Sequence, residues 1–126
     1  MLIDFPFRVP CESTRYCVFP EELEADPLVF FHGTAQGNLE SIIENGFRPK
    51  HPLESVSFSN RSNLCIGYAC RSRNKLSPGG VVIAVRFPSL EGRRIVREQW
   101  GIYLFEMEFQ PEVVGYCMIP ATYQFK

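Results

Sequence analysis

Apolar residues recur along this chain at two different intervals, and the change of interval marks out its elements. Residues 28–31 form a short β-prone run that stops at His32-Gly33-Thr34, where polar and glycine residues predict a turn. From Asn38 the interval becomes helical. Leu39, Ile42 and Ile43 fall on one face and Glu40 and Glu44 on another, and Asn45-Gly46 supplies a left-handed stop with Phe47 placed for an apolar contact beyond it. Pro49 and Pro52 predict a loop. Residues 55–60 then alternate polar and apolar, as a half-buried strand does, and Asn60 or Ser62 is available to cap a second helix in which Leu64 and Tyr68 share a face.

Ser77-Pro78-Gly79-Gly80 predicts a loop, and residues 81–87 after it are rich in β-branched side chains, the composition of a strand. After a second loop over residues 88–92, residues 100–109 read as one long strand that would carry Glu106 and Glu108 on a single face. Pro111 ends it, and residues 113–119 predict a final strand. Residues 1–27 hold Pro6, Pro10, Pro20 and Pro27, which remove backbone donors, so an irregular arm with room for one short strand is expected there. The sum is a β-rich α+β domain over residues 28–126 with two short helices early in it.

Composition narrows this picture. At 126 residues, 45% hydrophobic and 13% aromatic, the chain can build one core and is too short for two ordinary domains. Thirteen basic against 14 acidic residues give a formal charge of −1, which excludes a chain-wide electrostatic attraction to nucleic acid or to an anionic membrane. Cys11, Cys17, Cys65, Cys70 and Cys117 are an odd set with no CxxC pair and no zinc-like spacing, so reduced thiols and no metal are expected. No stretch approaches the roughly 20 apolar residues of a membrane span. A soluble, cytoplasmic protein without a membrane partner is the expectation.

Three pieces carry chemistry by their order: Phe30-Phe31-His32-Gly33-Thr34-Ala35 followed by a helix ending in Asn45-Gly46-Phe47; Ser55-Val56-Ser57-Phe58-Ser59 followed by the helix with Tyr68; and Trp100-Gly101-Ile102-Tyr103-Leu104. This arrangement resembles the ADP-ribosyltransferase superfamily over residues 28–119, with a layout similar to RNA 2'-phosphotransferases. The spacing from Ser57 to Tyr68 is similar to that in poly(ADP-ribose) polymerase catalytic domains. Serines stand at positions 55 and 57 where the phosphotransferase family has histidines, which turns the expectation away from RNA 2'-phosphate chemistry and toward ADP-ribosylation.

The resemblance implies a split β-sheet core, NAD as substrate without a metal, and transfer of ADP-ribose to a protein acceptor, a nucleic-acid acceptor being the alternative. It assigns His32 to the adenosine ribose, the Gly33 backbone beside Thr34 to the nicotinamide carboxamide, Ser57 or Ser59 to the same carboxamide, and Tyr68 to stacking on the nicotinamide ring. Arg48, Arg61 or Arg73 would meet the diphosphate. The late residue that steadies the ribosyl cation is Glu98 or Gln99, just before Trp100, with the pair Glu106 and Glu108 as a second reading. An amide at that position supplies no negative charge. A non-catalytic module of the same fold that binds a nucleotide or a partner, and an RNA 2'-phosphotransferase relative, are the competing expectations.

Overall fold

A computed structural model describes residues 2–125. In chain order its elements are β1 (Ile3–Phe5), α1 (Glu21–Glu24), β2 (Val29–Ala35), α2 (Leu39–Asn45), β3 (Val56–Ser59), α3 (Asn63–Arg71), β4 (Gly80–Arg86), β5 (Ile95–Glu98), β6 (Gly101–Leu104) and β7 (Glu112–Ile119). The strands form one sheet of seven in the order β1-β7-β4-β2-β3-β6-β5, so the architecture is mixed α+β with a few short helices. Every pairing is antiparallel except that of β1 with β7. The expected arm therefore supplies an edge strand of the same sheet as well as irregular chain.

The interior is decided by β4. Its run Val81-Val82-Ile83-Ala84-Val85 is wholly buried, the signature of a strand covered on both faces. One face packs into an aromatic cluster in which Phe58 meets Phe87 edge-on at 5.4 Å and Phe30 meets Phe87 at 5.7 Å. The other face is covered by α3 through Cys65, Ile66 and Ala69, and by Phe19 from the N-terminal segment. Strand alternation consequently sends Phe30, His32 and Phe58 to one side, and Phe31, Gly33, Ser57 and Ser59 to the α3 side.

Several local expectations change. His32-Gly33-Thr34 is the interior of β2 and no turn, because β4 pairs with it continuously from Val29↔Arg86 to Ala35↔Gly80. The stretch over residues 100–109 is a strand only as far as Leu104. Its unforeseen partner is β5, which forms a hairpin with β6 through Glu98↔Gly101 and leaves Gln99 and Trp100 at the tip. Glu106 and Glu108 share no strand face, since the chain turns after β6 and Glu106 is drawn to Arg93 at 3.0 Å. In α2 Leu39 is buried and Ile42 packs on the core, while Ile43 is exposed, so the apolar face is narrower than its periodicity suggests. In α3 the buried stripe is Cys65, Ile66, Gly67 and Ala69, not the Leu64 and Tyr68 face.

The α3 N-terminus is held by the N-terminal segment. Ser62 is completely buried, and the Glu24 carboxylate accepts both its backbone N–H at 3.1 Å and its hydroxyl; that hydroxyl oxygen in turn accepts the Val18 N–H at 2.9 Å. A buried carboxylate at a helix start is favourable because the exposed N–H groups there are partially positive. Glu24→Ala strips both donors of their acceptor, and we expect a loss of about 2–3 kcal/mol in urea unfolding. A change below about 0.5 kcal/mol, the range of an ordinary surface site, would show that this contact does not hold the helix.

Candidate functional site

The sheet is nearly divided between β2 and β3. Where β4 follows β2 over seven residue pairs, β3 meets it at one, Phe31↔Ser59. Beyond that bridge β3 continues with β6 over four pairs, Val56↔Leu104 to Ser59↔Gly101, so the two halves of the sheet part company at Phe31. His32 spans the parting: its Nδ1 lies 2.8 Å from the Ser57 carbonyl oxygen. A carbonyl can only accept, so Nδ1 carries the proton and Nε2 of the neutral ring is left as an acceptor.

The His32 ring packs edge-on against Phe47 at 5.2 Å and tilted against Phe58 at 5.7 Å. Burial among these rings pushes its pKa below the ordinary value of 6.5, opposed in part by the hydrogen bond to Ser57. Beside it lies a cavity of about 350 Å³ whose walls include His32, Thr34, Ser57, Arg48 and Lys50. Two cations and no carboxylate line it, so it suits an anionic ligand. Asn38 donates to the Thr34 hydroxyl at 2.9 Å and fixes that wall. A larger cavity of about 500 Å³ lies against the N-terminal segment and contains none of the expected site residues.

The remaining expected residues divide by face. Gly33 is where α3 crosses β2: a Cβ there would collide with the Cys65 carbonyl, so the close approach that only glycine permits is made by the helix backbone. The Cys65 thiol sits nearby, with the Arg61 carbonyl as its acceptor at 4.0 Å, and burial pushes its pKa up to about 12. It is an inert thiol packed in the apolar layer beneath α3. Tyr68 is 56% exposed on α3, has the Arg71 guanidinium 4.9 Å over its ring and does not line the His32 cavity. Ser72 does line it, four residues on, which puts Tyr68 about 6 Å further along the same helical stripe.

Glu98 and Gln99 lie apart from His32, exposed at the β5–β6 hairpin. Glu98 has a defined relation to Ser59 all the same, because Phe31↔Ser59, Ser59↔Gly101 and Glu98↔Gly101 form one cross-strand row on the α3 side. Gly101 has no side chain and could carry none, since its Cβ would strike the Phe58 carbonyl. Ser59 and Glu98 thus face each other across an empty step of two strand spacings, about 10 Å. Gln99, in the turn, has no place in that row.

Of the three arginines expected at the diphosphate, only Arg48 lines the cavity. Arg73 is occupied with the C-terminal segment, donating to the carbonyls of Pro120, Ala121 and Tyr123, and Arg61 buries Nη1 without a partner. Lys50 and Gln110 were not expected. Lys50 follows Arg48 in a loop whose course no periodicity reports, and Gln110 acts through contacts 63 residues distant in sequence. All five cysteines are free, and among the described residues no cluster of three or more His, Cys, Asp or Glu side chains is placed to hold a metal. No described helix is long and apolar enough to cross a membrane.

No protein-family model, curated protein or solved structure matches the chain.

The lowered His32 pKa has a thermodynamic consequence. Below 6.5 the unfolded chain binds a proton that the folded chain refuses until the pH reaches the lower folded value. Stability contributed by the neutral ring is therefore complete above that pH and declines as pH falls through the window beneath it. Urea unfolding between pH 7 and 5 should show this decline, and His32→Gln should reduce its slope by up to about one proton. Identical slopes in the two proteins would mean that position 32 titrates normally.

Proposed function

We propose that this chain is an NAD-dependent mono-ADP-ribosyltransferase that binds the dinucleotide at the parting between β2 and β3 and transfers ADP-ribose to a protein. The observation that carries the reading is the His32 cavity: a neutral imidazole with a free acceptor nitrogen, two cations and no acid, opening where the sheet divides. Its volume lies near the small end of ligand sites, about 300–1,000 Å³, and fits the adenosine and diphosphate end of such a ligand. Arg48 and Lys50 would meet the diphosphate, and His32 Nε2 would accept from a ribose hydroxyl.

The nicotinamide end would cross the parting to the α3 side, the sheet face that Ser57, Ser59 and Glu98 share. In the reaction the bond from ribose C1' to the nicotinamide nitrogen breaks, its electron pair leaving with neutral nicotinamide. An acceptor nucleophile then bonds to C1' and releases its proton to solvent. The ribosyl carbon is cationic in the transition state, and a carboxylate near it is the stabilising group such chemistry needs. The row with Ser59 favours Glu98 over Gln99 for that part.

A second reading, a domain of the same kind that binds nucleotide without turnover, is favoured by the absence of a carboxylate from the cavity lining. Incubating the protein with NAD labelled in the adenine portion, together with a cell lysate, separates the two. Transfer to protein with stoichiometric release of nicotinamide, reduced about a hundredfold by His32→Ala, is the expected outcome. Calorimetric binding of NAD without nicotinamide release supports the second reading, and no binding contradicts both.

A further inference from the structure

One side chain outside the cavity is tied to its wall by more hydrogen bonds than any residue within it. Gln110, just before β7, accepts the Phe47 N–H on Oε1 at 2.7 Å, while its Nε2 donates to the Phe47 carbonyl at 3.1 Å and to the Met107 carbonyl at 2.7 Å. The carboxamide thus satisfies both backbone groups of Phe47, a residue in no strand, as a neighbouring strand would. Arg48 Nη1 donates to the same two carbonyls, at 2.9 Å to Phe47 and 3.3 Å to Met107. Three of these five hydrogen bonds therefore clamp the segment Gly46-Phe47-Arg48 to the turn before β7, and the other two brace the segment and the turn internally.

The sequence has made room for this clamp. Gly46 has φ +81° and ψ 177°, a conformation essentially confined to glycine, and a Cβ there would come within 2.8 Å of the Gln110 carboxamide. Glycine at this position ends α2 and also lets Gln110 reach the backbone one residue on. What the clamp holds is functional surface. Phe47 is 2% exposed, packs against both His32 and Phe58, and walls the cavity, and Arg48 is one of the cavity's two cations.

We infer that Gln110 is the positioning residue of this site, fixing Phe47 against the His32 ring and aiming the Arg48 guanidinium into the cavity wall. The inference rests on the reading of the His32 cavity as the ligand site, but half of its test does not. Gln110→Leu keeps most of the volume and removes all three hydrogen bonds. Gln110→Glu keeps the acceptor for the Phe47 N–H, removes both donations, and sets a carboxylate beside Arg48.

Two readouts on the full chain decide it. The first is the imidazole titration of His32 followed by NMR without ligand. Release of Phe47 admits water to the ring, so in both variants the His32 pKa should rise toward its ordinary value. The second is calorimetric affinity for ADP-ribose, an unreactive probe with the diphosphate that Arg48 would bind. Losing one charge-assisted hydrogen bond from a mis-aimed Arg48 weakens it by about tenfold. A folded variant in which both His32 titration and ADP-ribose affinity are unchanged overturns the inference. So does unfolding of both variants, because Gln110 would then hold the fold and not aim the site. Should the parent chain bind no ADP-ribose, the dinucleotide reading fails, and the His32 titration still decides the part played by Gln110.

Discussion

The structure turns on one weak seam, the single residue pair Phe31↔Ser59 through which β2 and β3 remain in the same sheet. A full antiparallel ladder would close the edge of β2 and bury its backbone groups in strand pairing. Here the ladder stops after one step, and the groups beyond it are available for something else. His32 closes the gap with a side-chain hydrogen bond in place of a backbone one, so the same residue both ties the two halves and stands at the opening between them. Departures from regular pairing of this kind gather at functional or strained sites.

Packing on both faces supplies what the missing ladder does not. Phe58 of β3 reaches across the seam to Phe87 and Phe47, so the divided sheet has one undivided aromatic layer beneath it. On the other face α3 lies across β2 and β4 and is anchored at its N-terminus by Glu24. Its fit depends on Gly33, where the helix backbone comes closer than any side chain would allow. The glycine after His32 therefore has a packing reason to be there.

Much of this fold was legible in the sequence because each element has a local cause. The unbroken apolar run of β4, the alternation of β3, the helical interval of α2 and its glycine stop all appear where their patterns place them. The misreadings share another cause, partners remote in sequence. His32-Gly33-Thr34 resembles a turn until β4 pairs with it, and β5 carries too short a signal, Ile95-Val96, to be seen without β6. The site divides in the same way. His32, Thr34, Ser57 and Arg48 were named from sequence and share a cavity. Tyr68 and Glu98 were named and stand outside it, because Tyr68 lies on the exposed side of α3 and Glu98 on β5, at the far end of the sheet from β2. Lys50 and Gln110 left no pattern at all, since their parts are set by loop paths and by contacts across the chain.

Seam, cavity and clamp support one proposal, that the parting of β2 from β3 admits a nucleotide. The most direct measurement is a titration of the isotopically labelled chain with ADP-ribose, following every backbone amide by NMR. The account predicts that the shifting resonances gather on residues 32–34, 47–50 and 55–57, the two lips of the parting and the loop between them. Shifts confined to the N-terminal cavity around Arg8 and Arg15, or no shifts at millimolar ligand, would contradict it.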